Sequence, residues 1–220
     1  MPRGAQEQVA AQPDGWRGLV IDLSTPEDAI RILGQPSSDK RNQNLTLMMI
    51  DKWLAGGKYK QKIFRTLTFK KPTGFNEARL SFLEDSLVMI VLEPQTGDTP
   101  NWFDPDDLAV AFGTKFTYQE WHIGKKLPPL TEFLQSVGDV PPKEFSEIYD
   151  MIAVSQRSLI LARVNNIKAR DVGPGCYQCS EEENRKNKRR DASGTFPGQV
   201  WHIEIVSRKL GHSEGSDVRQ

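Results

Sequence analysis

Two stretches of this sequence carry the same pattern of helix signals: TPEDAIRILG at residues 25–34 and DPDDLAVAFG at residues 104–113. Each has proline in second place, aspartate in fourth place and glycine in last place, so the three residues recur at one common spacing along the chain. Proline is tolerated at the first helical position because the N–H group that it lacks has no helical partner there. Glycine readily adopts the positive φ that ends many helices. Both stretches therefore predict a short helix.

The residues around each proline strengthen this prediction. Thr25 and Asp104 are of the type that caps a helix N-terminus, and Asp28 and Asp107 stand where a side chain can reach back to the cap. Apolar residues between the two ends recur at helical spacing, so each helix is expected to turn one apolar side toward a core.

Runs with the composition of strands follow each predicted helix, and polar turns at residues 84–86 and 155–158 join neighbouring runs. The first helix is followed by the runs 45–50, 63–69, 79–83 and 87–92, and the second helix by the runs 116–123, 148–154, 159–164 and 200–206. A helix on one face of each sheet would bury the apolar sides of both. The sequence thus predicts an α+β fold of two helix-plus-four-stranded antiparallel sheet units in tandem.

This reading divides the chain into three parts. Residues 1–15 are polar and small and are predicted to form a flexible tail. The first helix-and-sheet unit is expected at 16–98 and the second at 99–220, separated by a stretch rich in turn-forming residues. Within the second unit, the long polar segment 171–198 lacks apolar periodicity and is predicted to be a mobile loop.

The composition limits the classes of function. Lys and Arg together number 29, as do Asp and Glu, and this balance argues against a nucleic-acid partner. The aliphatic run 87–92 is far shorter than the roughly 20 apolar residues that a membrane-spanning helix needs, so no integral membrane segment is expected. No apolar export signal stands at the start of the chain, which fits either a cytoplasmic protein or one whose signal was removed.

Cys176 and Cys179 form a CxxC pair in the segment 171–198. A redox pair needs a stabilised thiolate, which the acidic run 181–183 disfavours, and a structural zinc needs two further ligands that no second CxxC supplies. A local disulfide or a pair of free thiols is the favoured interpretation, with metal binding and redox chemistry as alternatives. The basic run 185–190 is expected to form part of a solvated loop, with weak contact to an anionic ligand or a nucleic acid as its alternative.

The sequence offers no recognisable catalytic motif, so no catalytic residue, metal site or cofactor is predicted. His122 and His202 each follow a tryptophan inside a strand run and are expected to lie on the surface of the sheet. Aromatic side chains with polar tips are favoured at protein interfaces. Five that fall near strand ends or connections are candidates for protein binding, although ordinary packing is the alternative for each: Trp53, Tyr59, Trp102, Tyr118 and Trp121.

Three short stretches near the N-terminus, WRGL at 16–19, STPED at 24–28 and RILGQP at 31–36, resemble the opening of the SmpA/OmlA (BamE-like) family of bacterial envelope proteins. A tandem pair of such units also resembles the β-lactamase-inhibitor-protein architecture. The resemblance implies helices packed on a sheet whose other face binds a partner protein, and it implies a periplasmic or exported location. It transfers no binding residue, because the matching positions are structural.

The expected function is therefore that of a non-enzymatic protein-binding module of the cell envelope or the exported fraction. A metal- or redox-active protein that uses Cys176 and Cys179 is the alternative. The sequence does not indicate an oligomeric state.

Overall fold

The computed structural model describes residues 11–42, 62–72, 74–94, 105–120, 148–165 and 199–211. A 3-10 turn at Arg208–Gly211 follows the last strand. The helices and strands, in chain order, are β1 (Ala11–Gln12), β2 (Gly15–Trp16), β3 (Leu19–Val20), α1 (Pro26–Leu33), β4 (Ser38–Asn42), β5 (Phe64–Lys70), β6 (Phe75–Leu83), β7 (Ser86–Pro94), α2 (Pro105–Phe112), β8 (Thr117–Glu120), β9 (Ile148–Val154), β10 (Ser158–Asn165) and β11 (Gln199–Ser207).

The strands form two antiparallel sheets. Strands β1, β2 and β3 make a small three-stranded sheet, and the other eight make one large sheet in the order β4-β5-β6-β7-β11-β10-β9-β8. Strands β7 and β11, each the last of the four described strands after its helix, pair in the middle of the large sheet. The α+β class predicted from the sequence is confirmed.

Both predicted helices are present, and each begins at its proline and ends one residue before its glycine. At the start of α1, the Asp28 N–H donates to Thr25 Oγ1 (3.3 Å) and the Thr25 N–H donates to Asp28 Oδ2 (3.1 Å), which completes the predicted capping box. Gly34 and Gly113 have positive φ angles, +84° and +59°. The cap expected at Asp104 lies outside the described residues.

The helices and the small sheet pack on one face of the large sheet, which we call the helix face. A register row of apolar side chains crosses six strands on this face: Leu67, Leu80, Ile90, Ile205, Ile160 and Ala153. All six belong to one hydrophobic core, together with Ala29 of α1 and with Leu108 and Phe112 of α2. The apolar sides predicted for the two helices therefore share a single core.

Buried polar groups fasten the small sheet, and the residues just after it, to strands of the large sheet. Asp14 Oδ1 accepts hydrogen bonds from the N–H and the hydroxyl of Ser158 (2.8 and 2.7 Å) at the start of β10. The Asp22 N–H donates to the carbonyl of Leu87 on β7 (2.7 Å), and Ser207 Oγ at the end of β11 donates to Asp22 Oδ1 (2.7 Å). These bonds tie the segment 11–24 to strands from both predicted units.

The predicted tail, 1–15, overlaps this small sheet. Residues 11–15 form β1 and the start of β2, and Asp14 between them is buried, so they belong to the fold. Residues 1–10 lie outside the described part of the chain, as do the boundary predicted near residue 98 and the loop predicted at 171–198.

Most strand predictions agree with the structure to within a few residues, including 148–154 for β9 and 200–206 for β11. The predicted strand 45–50 lies outside the described residues, and the strand that follows α1 is β4, which the sequence analysis missed. Its sequence, SDKRN, has no apolar residue. Among the described strands, β4 lies at the edge of the large sheet. Polar and charged side chains are common on edge strands, where charge hinders unwanted pairing with other chains.

Candidate functional site

Most side chains predicted to form a site lie outside the described residues. This applies to Trp53, Tyr59, Trp102 and Trp121, to both cysteines, Cys176 and Cys179, and to the basic run 185–190. Tyr118 lies on β8, where the register places it opposite Met151 of β9. The aromatic interface and the roles of the CxxC pair thus stay predictions.

The face of the large sheet opposite the helices, here called the second face, is buried along its central strands. Five apolar side chains on this face are at most 2% exposed: Met89 and Val91 on β7, Val206 on β11, Leu161 on β10 and Ile152 on β9. The centre of this face is therefore not the exposed binding surface that the sequence analysis expected.

A group of ionisable side chains lies within this buried region. It consists of Asp150 on β9, Arg163 on β10, and His202 and Glu204 on β11, and each is at most 6% exposed. We call these four residues the buried cluster. The register places Arg163 directly between Asp150 and His202 on the neighbouring strands. Charged side chains are almost never buried to this extent unless they are paired.

The strongest pair in the buried cluster joins Asp150 and Arg163. Arg163 Nε donates to Asp150 Oδ1 (2.9 Å), and Arg163 Nη2 donates to Asp150 Oδ2 (3.3 Å). This bidentate arrangement matches the planar guanidinium to the planar carboxylate. The guanidinium carbon of Arg163 also lies 5.7 Å from the centre of the Trp201 ring, which is within cation–π range.

The second pair lies on a single strand. His202 Nε2 is 2.8 Å from Glu204 Oε1. The two side chains share the second face because alternate residues of a strand point the same way, whereas Ile203 and Ile205 join the core on the helix face. Next to them the register of β10 and β11 shifts, since Arg163 pairs with His202 but the next residue pairs with Val200. The resulting bulge at Trp201 ends the regular alternation beside the cluster.

Burial dominates the electrostatics of Asp150. The pKa of Asp150 is raised from 3.8 to about 6; removal from water is the largest cause, and the neighbouring carboxylate of Glu204 acts in the same direction. The guanidinium of Arg163 and the imidazole of His202 act against this rise in pKa without cancelling it. The carboxyl group of Asp150 can therefore gain or lose a proton near neutral pH.

The chemistry of the buried cluster follows from these features. A carboxyl that titrates near pH 6 and a histidine held by a carboxylate are both groups that enzymes use to move protons. However, turnover requires that a substrate reach them, and all four side chains are almost wholly removed from solvent. The arrangement supports proton binding inside the fold more directly than it supports catalysis.

Asp150, Arg163 and Glu204 were not predicted as site residues from the sequence, and the expectation that His202 lies at the sheet surface is wrong. His202 is 2% exposed and is paired with Glu204. A signal was present in the sequence, because each of the three strands carries a charged residue inside an apolar run: YDMIAV, LILARV and HIEIV. Single charged residues in such runs indicate either an exposed face or a buried pair, and the missing information was the strand order that pairs them.

Beyond the centre of the second face, most of its positions on β4 to β7 are polar and at least partly exposed, whereas Phe64 and Ser81 are buried. Arg79 Nη2 on β6 donates to Glu93 Oε1 on β7 (2.9 Å), and Lys70 on β5 is paired with Glu77 on β6. We call this region the outer polar surface. Its members are Lys40, Thr66, Thr68, Lys70, Glu77, Arg79 and Glu93.

The described residues bear on two other kinds of site, a metal centre and a membrane-spanning helix. Among those residues, no group of three or more His, Cys, Asp or Glu side chains is placed to hold a metal ion. The described helices include none with the length and apolar composition needed to cross a membrane.

No family model, curated protein or solved structure matches this chain. The resemblance to SmpA/OmlA proteins thus rests on the quoted sequence motifs alone.

Proposed function

We propose that this chain is a non-enzymatic protein-binding module of the bacterial cell envelope or exported fraction, built from two copies of a helix-plus-four-strand unit. The observation that supports the duplication is the strand order. Within the described residues, each eight-residue helix is followed along the chain by four strands that are neighbours in the sheet, and the two sets meet through their last strands, β7 and β11. Two copies related by a two-fold axis would produce this order.

The partner is proposed to bind the outer polar surface. Charged groups of both signs are held there in fixed positions by the ion pairs of Lys70 with Glu77 and of Arg79 with Glu93. Exposed ion pairs add little to stability, but a fixed pattern of charge can select a complementary protein and set its orientation. The envelope location follows from the resemblance to SmpA/OmlA proteins.

Site-specific photo-crosslinking in the native bacterium tests both parts of this proposal. A crosslinking residue replaces Thr68 on the outer polar surface, and the matched control replaces Val110, which is 62% exposed on α2. We expect one discrete protein adduct from position 68 in the envelope or exported fraction, and its yield should fall when Arg79→Ala is added. Equal adducts from both positions would overturn the proposed surface, and recovery of the protein in the cytoplasm would overturn the location.

A further inference from the structure

The buried cluster has no role in the proposed binding surface, yet it places two carboxylates, a guanidinium and an imidazole in the interior of the sheet. We propose that it is a proton-linked switch: Asp150 takes up one proton while the chain stays folded, and its ion pair with Arg163 is thereby weakened. Burying a charged group costs free energy, and proton uptake by a carboxylate removes that cost. A buried cluster therefore responds to proton uptake more strongly than an exposed ion pair does.

The groups that face Asp150 are defined by the register. Arg163 on β10 contacts its carboxylate directly, and His202 and Glu204 lie on the next strand, β11. On the other side, the residue opposite Asp150 on β8 is the uncharged Gln119. Among the described neighbours, only Arg163 and His202 thus favour the charged form of Asp150, whereas burial and Glu204 favour the neutral form.

The geometry makes the neutral form compatible with the fold. A protonated carboxyl of Asp150 keeps an oxygen that can accept from Arg163 Nε, now 2.9 Å away, so the contact persists as an ordinary hydrogen bond without the attraction of opposite charges. No covalent bond changes, and the proton comes from solvent. The loss of charge attraction between Asp150 and Arg163 affects strands β9, β10 and β11, because the buried cluster spans them.

The dependence on pH has a definite sign. Because the pKa of Asp150 is raised from 3.8 to about 6 in the folded protein, the folded state holds more protons than the unfolded state between those two values. The stability that Asp150 contributes is therefore fully present below pH 3.8 and is lost as the pH rises through about 6. This is opposite to the usual behaviour of a paired aspartate.

Carbon-13 NMR of the aspartate carboxyl groups in the intact folded chain tests the switch directly. We expect one carboxyl signal with a midpoint near pH 6, absent in Asp150→Asn and moved to lower pH by Glu204→Gln, because Glu204 is one cause of the raised pKa. If the Asp150 signal titrates at pH 4 or below in the wild-type chain, the proposal is overturned. Apart from Asp150→Asn, which assigns the signal, this outcome does not depend on the folding of any variant.

Thermal unfolding provides a second readout. As the pH rises from 5 to 8, the wild type loses stability because Asp150 becomes charged, whereas asparagine cannot acquire this buried charge. The Tm of Asp150→Asn minus the Tm of the wild type is therefore expected to be larger at pH 8 than at pH 5. The matched control is Asp14→Asn, since hydrogen bonds from Ser158 and Arg157 outweigh burial and lower the pKa of Asp14. Its Tm deficit should be the same at both pH values. If the Tm difference between Asp150→Asn and the wild type does not change with pH, the switch is contradicted. The proposed protein-binding function is unaffected by that result.

Discussion

At the scale of single residues, Asp14 shows how one buried carboxylate holds distant parts of the chain together. Its Oδ1 accepts from the Arg157 N–H (3.0 Å) and from both donors of Ser158, more than 140 positions away in sequence. Burial alone would raise the pKa of Asp14, but the hydrogen bonds from Ser158 and Arg157 outweigh it and lower the pKa below 3.8. The charged form is therefore the form that the fold stabilises.

Replacing this carboxylate should destabilise the whole fold. We expect Asp14→Ala to lower the free energy of unfolding by ~2–3 kcal/mol at pH 7, because buried donors lose a charged acceptor. Ser158→Ala, which removes one of the donors, should cost ~1 kcal/mol. Since a lowered pKa gives stability that is present above the ordinary value of 3.8 and is lost below it, the Asp14→Ala deficit should be constant from pH 5 to pH 8. Denaturant unfolding measures these values, and an Asp14→Ala loss below that of Ser158→Ala would contradict this role.

At the scale of elements, the helices were predictable because their signals are local. Thr25, Asp28 and Gly34 determine the ends of α1 through contacts no more than four residues apart. The ionisable pairs of the second face were not predictable in the same way. Asp150 and Arg163 meet only because β9 pairs with β10, and β11 joins them from beyond a long connection. Alternation along a strand shows which residues share a face, but it does not show which strands are neighbours.

The capping box of α1 gives a prediction at this scale. Thr25→Ala removes the oxygen that accepts from the Asp28 N–H and should cost ~1 kcal/mol in the free energy of unfolding. Thr25→Ser keeps that oxygen and should stay within ~0.5 kcal/mol of the wild type, since serine caps at least as well as threonine. Urea unfolding of the three chains distinguishes these outcomes, and equal losses for alanine and serine would show that the hydroxyl does not cap the helix.

At the scale of the whole molecule, the decisive feature is the pairing of β7 with β11. The sequence predicted two sheet units and gave no information on how they meet, because that contact joins segments far apart in sequence. In the structure the two sets of four strands form one continuous sheet, and helices from both sets share one core. The segment 11–24 then bonds to β7, β10 and β11, so that it bridges the junction. The cluster at Asp150 and the outer polar surface consequently lie on one face of one sheet.

A disulfide test of the central junction examines this account most directly. Met89 and Val206 lie opposite each other on β7 and β11, and Leu159 of β10 lies in the same row one strand further on. With Cys176 and Cys179 replaced by serine, Met89→Cys with Val206→Cys should form a disulfide on mild oxidation. Met89→Cys with Leu159→Cys should not, because two strand spacings, about 9.5 Å, exceed the reach of a disulfide. Failure of the first pair in a folded chain, or equal crosslinking of the second pair, would contradict the continuous sheet.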